Sequence, residues 1–261
     1  MKWQDFKIDK RFMQQLTLSI IICFILAPFI TYSFIHSFNI NNIFMTGILV
    51  MSCMPTTLSS GIVISELAGG NKHLSMLLTI GLNAAGIIAI PFILPFLLNN
   101  QNNIPINAGH LFFGLLTKVL TPFLVGNLVA KLNSSFRKYS WVSHLPSTCV
   151  ILTVWITFSC QQQLLSSLSL KKLTLISSAC LVIHLLLFIL SFIMSQKLNY
   201  SRQDTLSLSF MNSQKTLPVA ISIIASLTLE SGGLLISCLL FHFIQLLCDS
   251  LLASKLKPKS I

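Results

Sequence analysis

Two stretches of the chain collect polar side chains inside apolar sequence. The first is Ser52-Cys53-Met54-Pro55-Thr56-Thr57-Leu58-Ser59-Ser60-Gly61, and the second is Met211-Asn212-Ser213-Gln214-Lys215-Thr216-Leu217-Pro218. Both contain a proline, which removes the N–H that the carbonyl four residues earlier needs in a helix. Pro55 is expected to free the carbonyl of Met51, and Pro218 that of Gln214. Open carbonyls among hydroxyls and amides can hold a cation, and Lys215 would present a fixed positive charge to an anion. His242 and Gln245 lie three residues apart, so they share a helix face. Either an interhelical hydrogen bond or a substrate contact fits that spacing.

Catalytic chemistry finds no comparable support. HExxH, GxSxG, P-loop and GxGxxG patterns are lacking. Of the six acidic residues only Asp249 falls deep in an apolar run, with Glu66 near the end of another, and His184 stands alone and reads as a packed or pore-lining histidine. Cys23, Cys53, Cys149, Cys160, Cys180, Cys238 and Cys248 are odd in number and show no CxxC or Cys/His spacing. They read as small packing residues. No nucleophile and base are recognisable together, so the chain reads as a non-enzyme with no metal and no cofactor.

The elements that carry these residues are set by hydropathy. Hydrophobic residues make up 54% of the 261 and charged residues 9%, with a mean hydropathy of +0.81; a soluble domain carries about 25% charged residues. A helix crosses a bilayer with about 20 apolar residues, because no water in the hydrocarbon can satisfy an open backbone. Eight segments have that length: 12–35, 43–67, 74–98, 109–130, 142–160, 173–196, 204–227 and 232–254. No shift in composition divides them, so residues 1–261 read as a single membrane domain. Pro28, Pro91, Pro95 and Pro122 read as simple kinks. The run after Lys2, Lys7, Lys10 and Arg11 is too long for a signal peptide and reads as a retained anchor.

With both termini in the cytoplasm, the inner segments hold thirteen Lys and Arg residues and the outer loops two, Lys171 and Lys172. This asymmetry follows the positive-inside rule. Loop charges beside anionic headgroups account for the net +11, so the expected partner is the lipid bilayer and not nucleic acid. The expected location is a bacterial-type plasma (inner) membrane.

Polar breaks in two corresponding spans point to a transporter site at the bilayer midplane. An ungapped alignment of 49–68 with 206–225 matches Leu49/Leu206, Ser52/Ser209, Met54/Met211, Ile64/Ile221, Ser65/Ser222 and Ala68/Ala225. The second and seventh spans are an odd number apart, which would orient the two copies oppositely. An inverted repeat is therefore expected.

Cys53-Met54-Pro55, Ser59-Ser60 and Gly69-Gly70-Asn71 resemble the fourth-helix motif of the bile acid:sodium symporter superfamily. Phe210, Lys215-Thr216 and His242-x-x-Gln245 resemble its sodium/bile acid cotransporter 7 type branch. The resemblance implies an all-α membrane protein with an inverted-repeat core in which two discontinuous helices cross. The core would comprise 12–98 and 173–254, with a partial panel at 109–160 and the family's first two helices lacking. Substrate would pass between core and panel by alternating access.

Sodium-coupled members of that family bind their ions with hydroxyls, an Asn, a Glu and a Gln. By the motif, Ser60, Ser75 and Thr79 keep hydroxyl positions, Gly61 stands at the Asn, and Ser209 stands at the Glu. A hard cation lacking that carboxylate is held weakly. The expected function is secondary transport of a small organic anion without strict sodium coupling. Its site is expected to draw on Ser60, Ser75, Thr79, Ser209, Asn212, Ser213, Gln214, Lys215, His242 and Gln245. The alternative is a truncated, non-transporting membrane protein, or a partner subunit; a homo-oligomer or a partner would then supply the missing helices.

Overall fold

The apolar runs fold as helices, in which each backbone N–H finds a carbonyl within its own segment. The computed structural model describes residues 9–37, 43–102, 108–132, 140–226 and 231–257, and these form helices without strands. In chain order they are α1 (Lys10–Ile21), α2 (Ala27–Ser37), α3 (Ile43–Ser52), α4 (Ser60–Leu67), α5 (Lys72–Asn102), α6 (Ala108–Leu115) and α7 (Thr121–Leu132). There follow α8 (Ser140–Cys160), α9 (Gln162–Ser167), α10 (Leu170–Lys197), α11 (Arg202–Ser213), α12 (Leu217–Ile224) and α13 (Ser231–Leu256). Among the described residues, four helices are long and apolar enough to cross a membrane: Lys10–Ser37, Lys72–Leu98, Leu170–Lys197 and Gly232–Leu256. Phe29, Phe92, Phe96 and Leu247 project outward from them, as contact with lipid requires.

The order of long helix, broken helix, long helix occurs twice, once from α1 to α5 and once from α10 to α13. The two sets interleave: α3 runs along α13, α4 lies against α11, and α10 packs on both α11 and α13. The helices α6 and α7 form a separate arm whose α6 packs on α5 and α12, while α8 meets α13. Asp9, Ser169 and Ser201 each cap a helix by accepting a backbone N–H with a side-chain oxygen. Gly69 ends α4 at a φ of 84°, and Asn199 follows α10 at 55°. In both turns the next N–H reaches back five residues, Gly70 to Ser65 O and Tyr200 to Ser195 O.

Four of the proline expectations need correction. Pro28 is no simple kink: a π-turn, Ile22–Leu26, separates α1 from α2, and a second one, Leu116–Leu120, lies just before Pro122. The carbonyl of Met51 is not open, because the N–H of Met54 turns back onto it at 3.1 Å. Pro218 does not create the second break; it sits in the first turn of α12, where a missing N–H costs nothing. Pro91 and Pro95 lie inside α5, which continues past both.

Helix α3 packs closely on α13. A Cβ at Gly47 would lie 2.6 Å from Leu234 O and 2.8 Å from Leu234 Cα, both backbone atoms. Neither can move without shifting α13. Gly47→Ala is therefore expected to destabilise the protein by about 1–3 kcal/mol, read as a lower thermal midpoint in detergent. A midpoint equal to that of the wild type would contradict this packing.

Candidate functional site

The two breaks meet. The chain is non-helical from Cys53 to Ser59 and from Gln214 to Thr216, and the N–H of Thr216 donates to the carbonyl of Pro55 at 2.9 Å. Each broken end thus supplies the hydrogen bond that the other lacks. Gln214 is extended, with ψ at 142°, which turns its side chain between helices. Its Oε1 accepts from the hydroxyls of Thr57 at 2.6 Å and Ser60 at 3.3 Å, while its Nε2 donates to Asp249 Oδ2 at 2.7 Å. The Thr57 hydroxyl in turn accepts the N–H of Gly61 at 2.9 Å. A Cβ at Gly61 would come within 2.8 Å of Thr57 Oγ1 and 3.0 Å of Gln214 Oε1. A larger side chain at 61 would have to displace that contact.

Lys215 is fully buried. Its backbone is clamped by one amide, for Gln245 Oε1 accepts the Lys215 N–H at 2.9 Å and Gln245 Nε2 donates to the Lys215 carbonyl at 2.8 Å. His242 Nδ1 lies 2.9 Å from the same Nε2. The lysine Nζ donates to the carbonyl of Cys23 at 3.3 Å. That carbonyl is open for a local reason: the N–H of Ala27 bonds to Ile22 O in the π-turn, and the next residue is Pro28, which has no N–H. A buried ammonium needs such an acceptor.

Asp249 and His184 form the third part of the site, both wholly buried. His184 Nε2 lies 2.8 Å from Asp249 Oδ1, and His184 Nδ1 lies 3.3 Å from the carbonyl of Ser213. His184 is thus not alone, contrary to its reading from the sequence. Among the described residues no three His, Cys, Asp or Glu side chains converge as a metal site would require.

The structure brings together Ser60, Gln214, Lys215, His242 and Gln245 at the crossing. Asn212 and Ser213 flank it: Asn212 Nδ2 donates to Ser191 Oγ at 2.9 Å, and Ser213 Oγ donates to Phe210 O at 3.3 Å. Ser75 belongs to a different group. Its hydroxyl lies 3.0 Å from that of Ser65, which is 3.2 Å from that of Ser207. Thr79 and Ser209 direct their hydroxyls to carbonyls of their own helices, those of Ser75 and Thr205. Thr57, His184, Asp249 and the Cys23 carbonyl belong to the crossing and were not assigned to it from the sequence. Thr57 lies within the first polar stretch, so its composition could have marked it; nothing local marks the Cys23 carbonyl.

A model of the SBF-like CPA transporter family matches residues 1–258. The chain belongs to that family. It is a family of transporters and not of enzymes, and this agrees with the resemblance read from the motifs. Among similar proteins is the "Probable sodium/metabolite cotransporter BASS4, chloroplastic" of Arabidopsis thaliana, 28% identical over 225 residues that make up 80% of this chain and 52% of the relative. The BASS4 protein of Oryza sativa subsp. indica is 28% identical over 81% of this chain and 54% of its own length. "Sodium/bile acid cotransporter 7" of Rattus norvegicus is 24% identical over 84% of this chain and 66% of its own length. The chain thus spans about half the length of the BASS4 relatives.

Proposed function

We propose that the protein is a secondary transporter that moves a small organic anion by alternating access, with Lys215 in place of a bound sodium ion. The observation that carries this reading is the Lys215 ammonium, buried at the crossing and donating to the carbonyl that the π-turn and Pro28 leave open. A lysine at the centre of a span costs about 2.5–3.5 kcal/mol on insertion scales, so its place at a helix break supports a role in binding. The names of the relatives support solute transport; the anion is inferred from the charge.

Eight spans in an inverted repeat fit the observed order, with two long helices around each broken one and α6–α7 and α8 as a partial panel. The solute would pass between the crossing and that panel. Pro55, Asn83, Gly86, Leu115 and Val219 line a space of about 10 Å³ there, near the least that holds one water. So narrow a space would fit the closed state of an alternating-access cycle. Further helices, from a second copy or a partner subunit, would lie against α7 and α8, where Leu128, Leu132 and Trp155 are exposed. The positive-inside asymmetry supports cytoplasmic termini in a bacterial-type inner membrane.

The test is uptake of labelled organic anions, the carboxylate pyruvate and the sulfonate taurocholate among them, into liposomes holding the purified protein, in sodium and in sodium-free choline buffer. Equal uptake in the two buffers is expected. Lys215→Ala is expected to weaken anion binding about tenfold to a hundredfold, the scale of one lost charge-assisted hydrogen bond. Strict sodium dependence of the wild type, or full activity of the alanine variant, would refute the role of Lys215.

A further inference from the structure

We propose that His184 and Asp249 are the proton-binding site of this carrier, loaded with one proton when the anion is bound and empty when it is not. The proposal rests on the anion reading above for its coupling, and on the geometry of the pair for its proton.

The geometry fixes how many protons the pair holds. A carbonyl can only accept, so the contact of His184 Nδ1 with Ser213 O, 3.3 Å, requires a proton on Nδ1. The contact of Nε2 with Asp249 Oδ1, 2.8 Å, requires a second one between them. Whether that proton sits on nitrogen or on oxygen, the pair as a whole is neutral. If it leaves, one imidazole proton must serve two acceptors. Placed on Nε2 it satisfies the carboxylate, and the Nδ1 lone pair then opposes the Ser213 carbonyl. Placed on Nδ1 it leaves the Nε2 lone pair against the carboxylate. Either way a contact fails, and the favoured loss is the one to Ser213, which directly precedes the break at Gln214. Loss of the proton is thereby linked to the backbone of the crossing. Gln214 makes a second link, for the same amide joins Asp249 to Thr57 and Ser60.

Charge balance sets the coupling. Net charge is costly in a buried site. With the proton aboard, the pair contributes nothing and Lys215 leaves one positive charge, which a monoanion cancels. With proton and anion both gone, the pair carries one negative charge, which Lys215 cancels. These are the two balanced states, and they differ by one proton and one monoanion moving together. The proton is taken from water on one side and returned to water on the other.

The elements packed around the pair bring few other titratable groups near it. Cys180 lies on α10, while Cys238, His242 and Cys248 lie on α13. Cys53 follows α3, and Lys215 follows α11. Cys248 directly precedes Asp249 on that helix. Helix α12 carries none, the Tyr32 and His36 rings of α2 stack on each other, and Glu66 of α4 pairs with Lys72 at an exposed turn. Asp204 of α11 pairs with Arg11. Asp204 is the other buried carboxylate among the described residues, and Arg11 holds it.

The test is nitrogen NMR of the full-length protein in nanodiscs, labelled with ¹⁵N-histidine and titrated from pH 5 to 10. The His184 signals are assigned by their loss in His184→Gln. If that variant does not fold, their shift in Asp249→Glu assigns them. Two protonated ring nitrogens are expected at low pH, with one lost in a single step as pH rises. Adding pyruvate or taurocholate is expected to move that step to higher pH, and anion affinity is expected to fall about tenfold for each pH unit above it, as obligatory one-to-one linkage requires. Spectra unchanged across the range would overturn the proton site and leave a structural hydrogen bond. A step that is present but unmoved by anions that the liposomes take up would overturn the coupling alone. A step that is present without uptake or binding of any anion would overturn the anion reading and leave the proton site in place.

Discussion

Asp249→Ala is expected to be among the most damaging single substitutions in the chain, lowering stability by about 3–5 kcal/mol. The carboxylate has no exposure to solvent, and its two oxygens face His184 Nε2 and Gln214 Nε2. Alanine leaves a buried imidazole and a buried amide without an acceptor, and each such orphan costs about 1–3 kcal/mol. The cavity left behind is polar and enclosed, so neighbouring side chains gain nothing by collapsing into it. Asp249→Asn keeps the shape and one acceptor, and should lose less than alanine does. The decisive comparison is the pair His184→Leu and Asp249→Leu, made singly and together. Replacing both groups removes the buried polar atoms along with their unmet needs, so the double variant should be more stable than the sum of the single losses predicts. Unfolding in mixed micelles, followed by tryptophan fluorescence, measures all of these. If the losses simply add, the two groups are not paired in the folded protein.

Much of this site was legible in the sequence because a membrane makes polar groups conspicuous. Against an apolar background, Pro55 with its flanking hydroxyls and Asn212 to Thr216 could hardly be surface loops, and both prove to be breaks that meet at Pro55 and Thr216. Span limits were also readable from hydropathy: the first run, expected at 12–35, is helical turn from 10 to 37, and that expected at 173–196 is α10, Leu170–Lys197. The interior of a span is harder to read. Where every face is apolar, no periodicity distinguishes an α-turn from a π-turn, so the widened turn at Ile22–Leu26 leaves no trace in the sequence, where Pro28 reads as a kink.

Partners distant in sequence were equally hidden. His184 and Asp249 are separated by 65 residues, and no spacing rule relates positions on α10 to positions on α13. Ser75, Thr79 and Ser209 illustrate the opposite limit. A motif gives residue identity but not the direction of a hydroxyl, and in a helix the carbonyl four residues back is always within reach of a serine or threonine. All three take such a bond, to Asn71, Ser75 and Thr205.

Gln245→Leu is expected to open the second break. A helix interrupted inside a membrane must find substitutes for the backbone bonds it gives up, and at Lys215 both substitutes come from one side chain. Gln245 Oε1 takes the N–H and Gln245 Nε2 gives to the C=O, at 2.9 and 2.8 Å. Leucine matches the size of glutamine and offers neither, leaving a donor and an acceptor buried without partners. Together these should cost about 2–6 kcal/mol. The position of the Lys215 side chain depends on that clamp as well, so anion binding should fall even in protein that remains folded. Gln245→Glu separates the two contributions, because a carboxylate can still accept from the Lys215 N–H but a deprotonated one cannot donate to its carbonyl. The expected order of thermal midpoints is wild type, then glutamate, then leucine. Amide hydrogen exchange at Lys215 and Thr216 provides the local readout. In the leucine variant both N–H groups should exchange faster while those in the middle of α10 keep their protection. Unchanged protection at Lys215 would mean that its N–H has a partner other than Gln245, and the clamp would then have no part in holding the crossing closed.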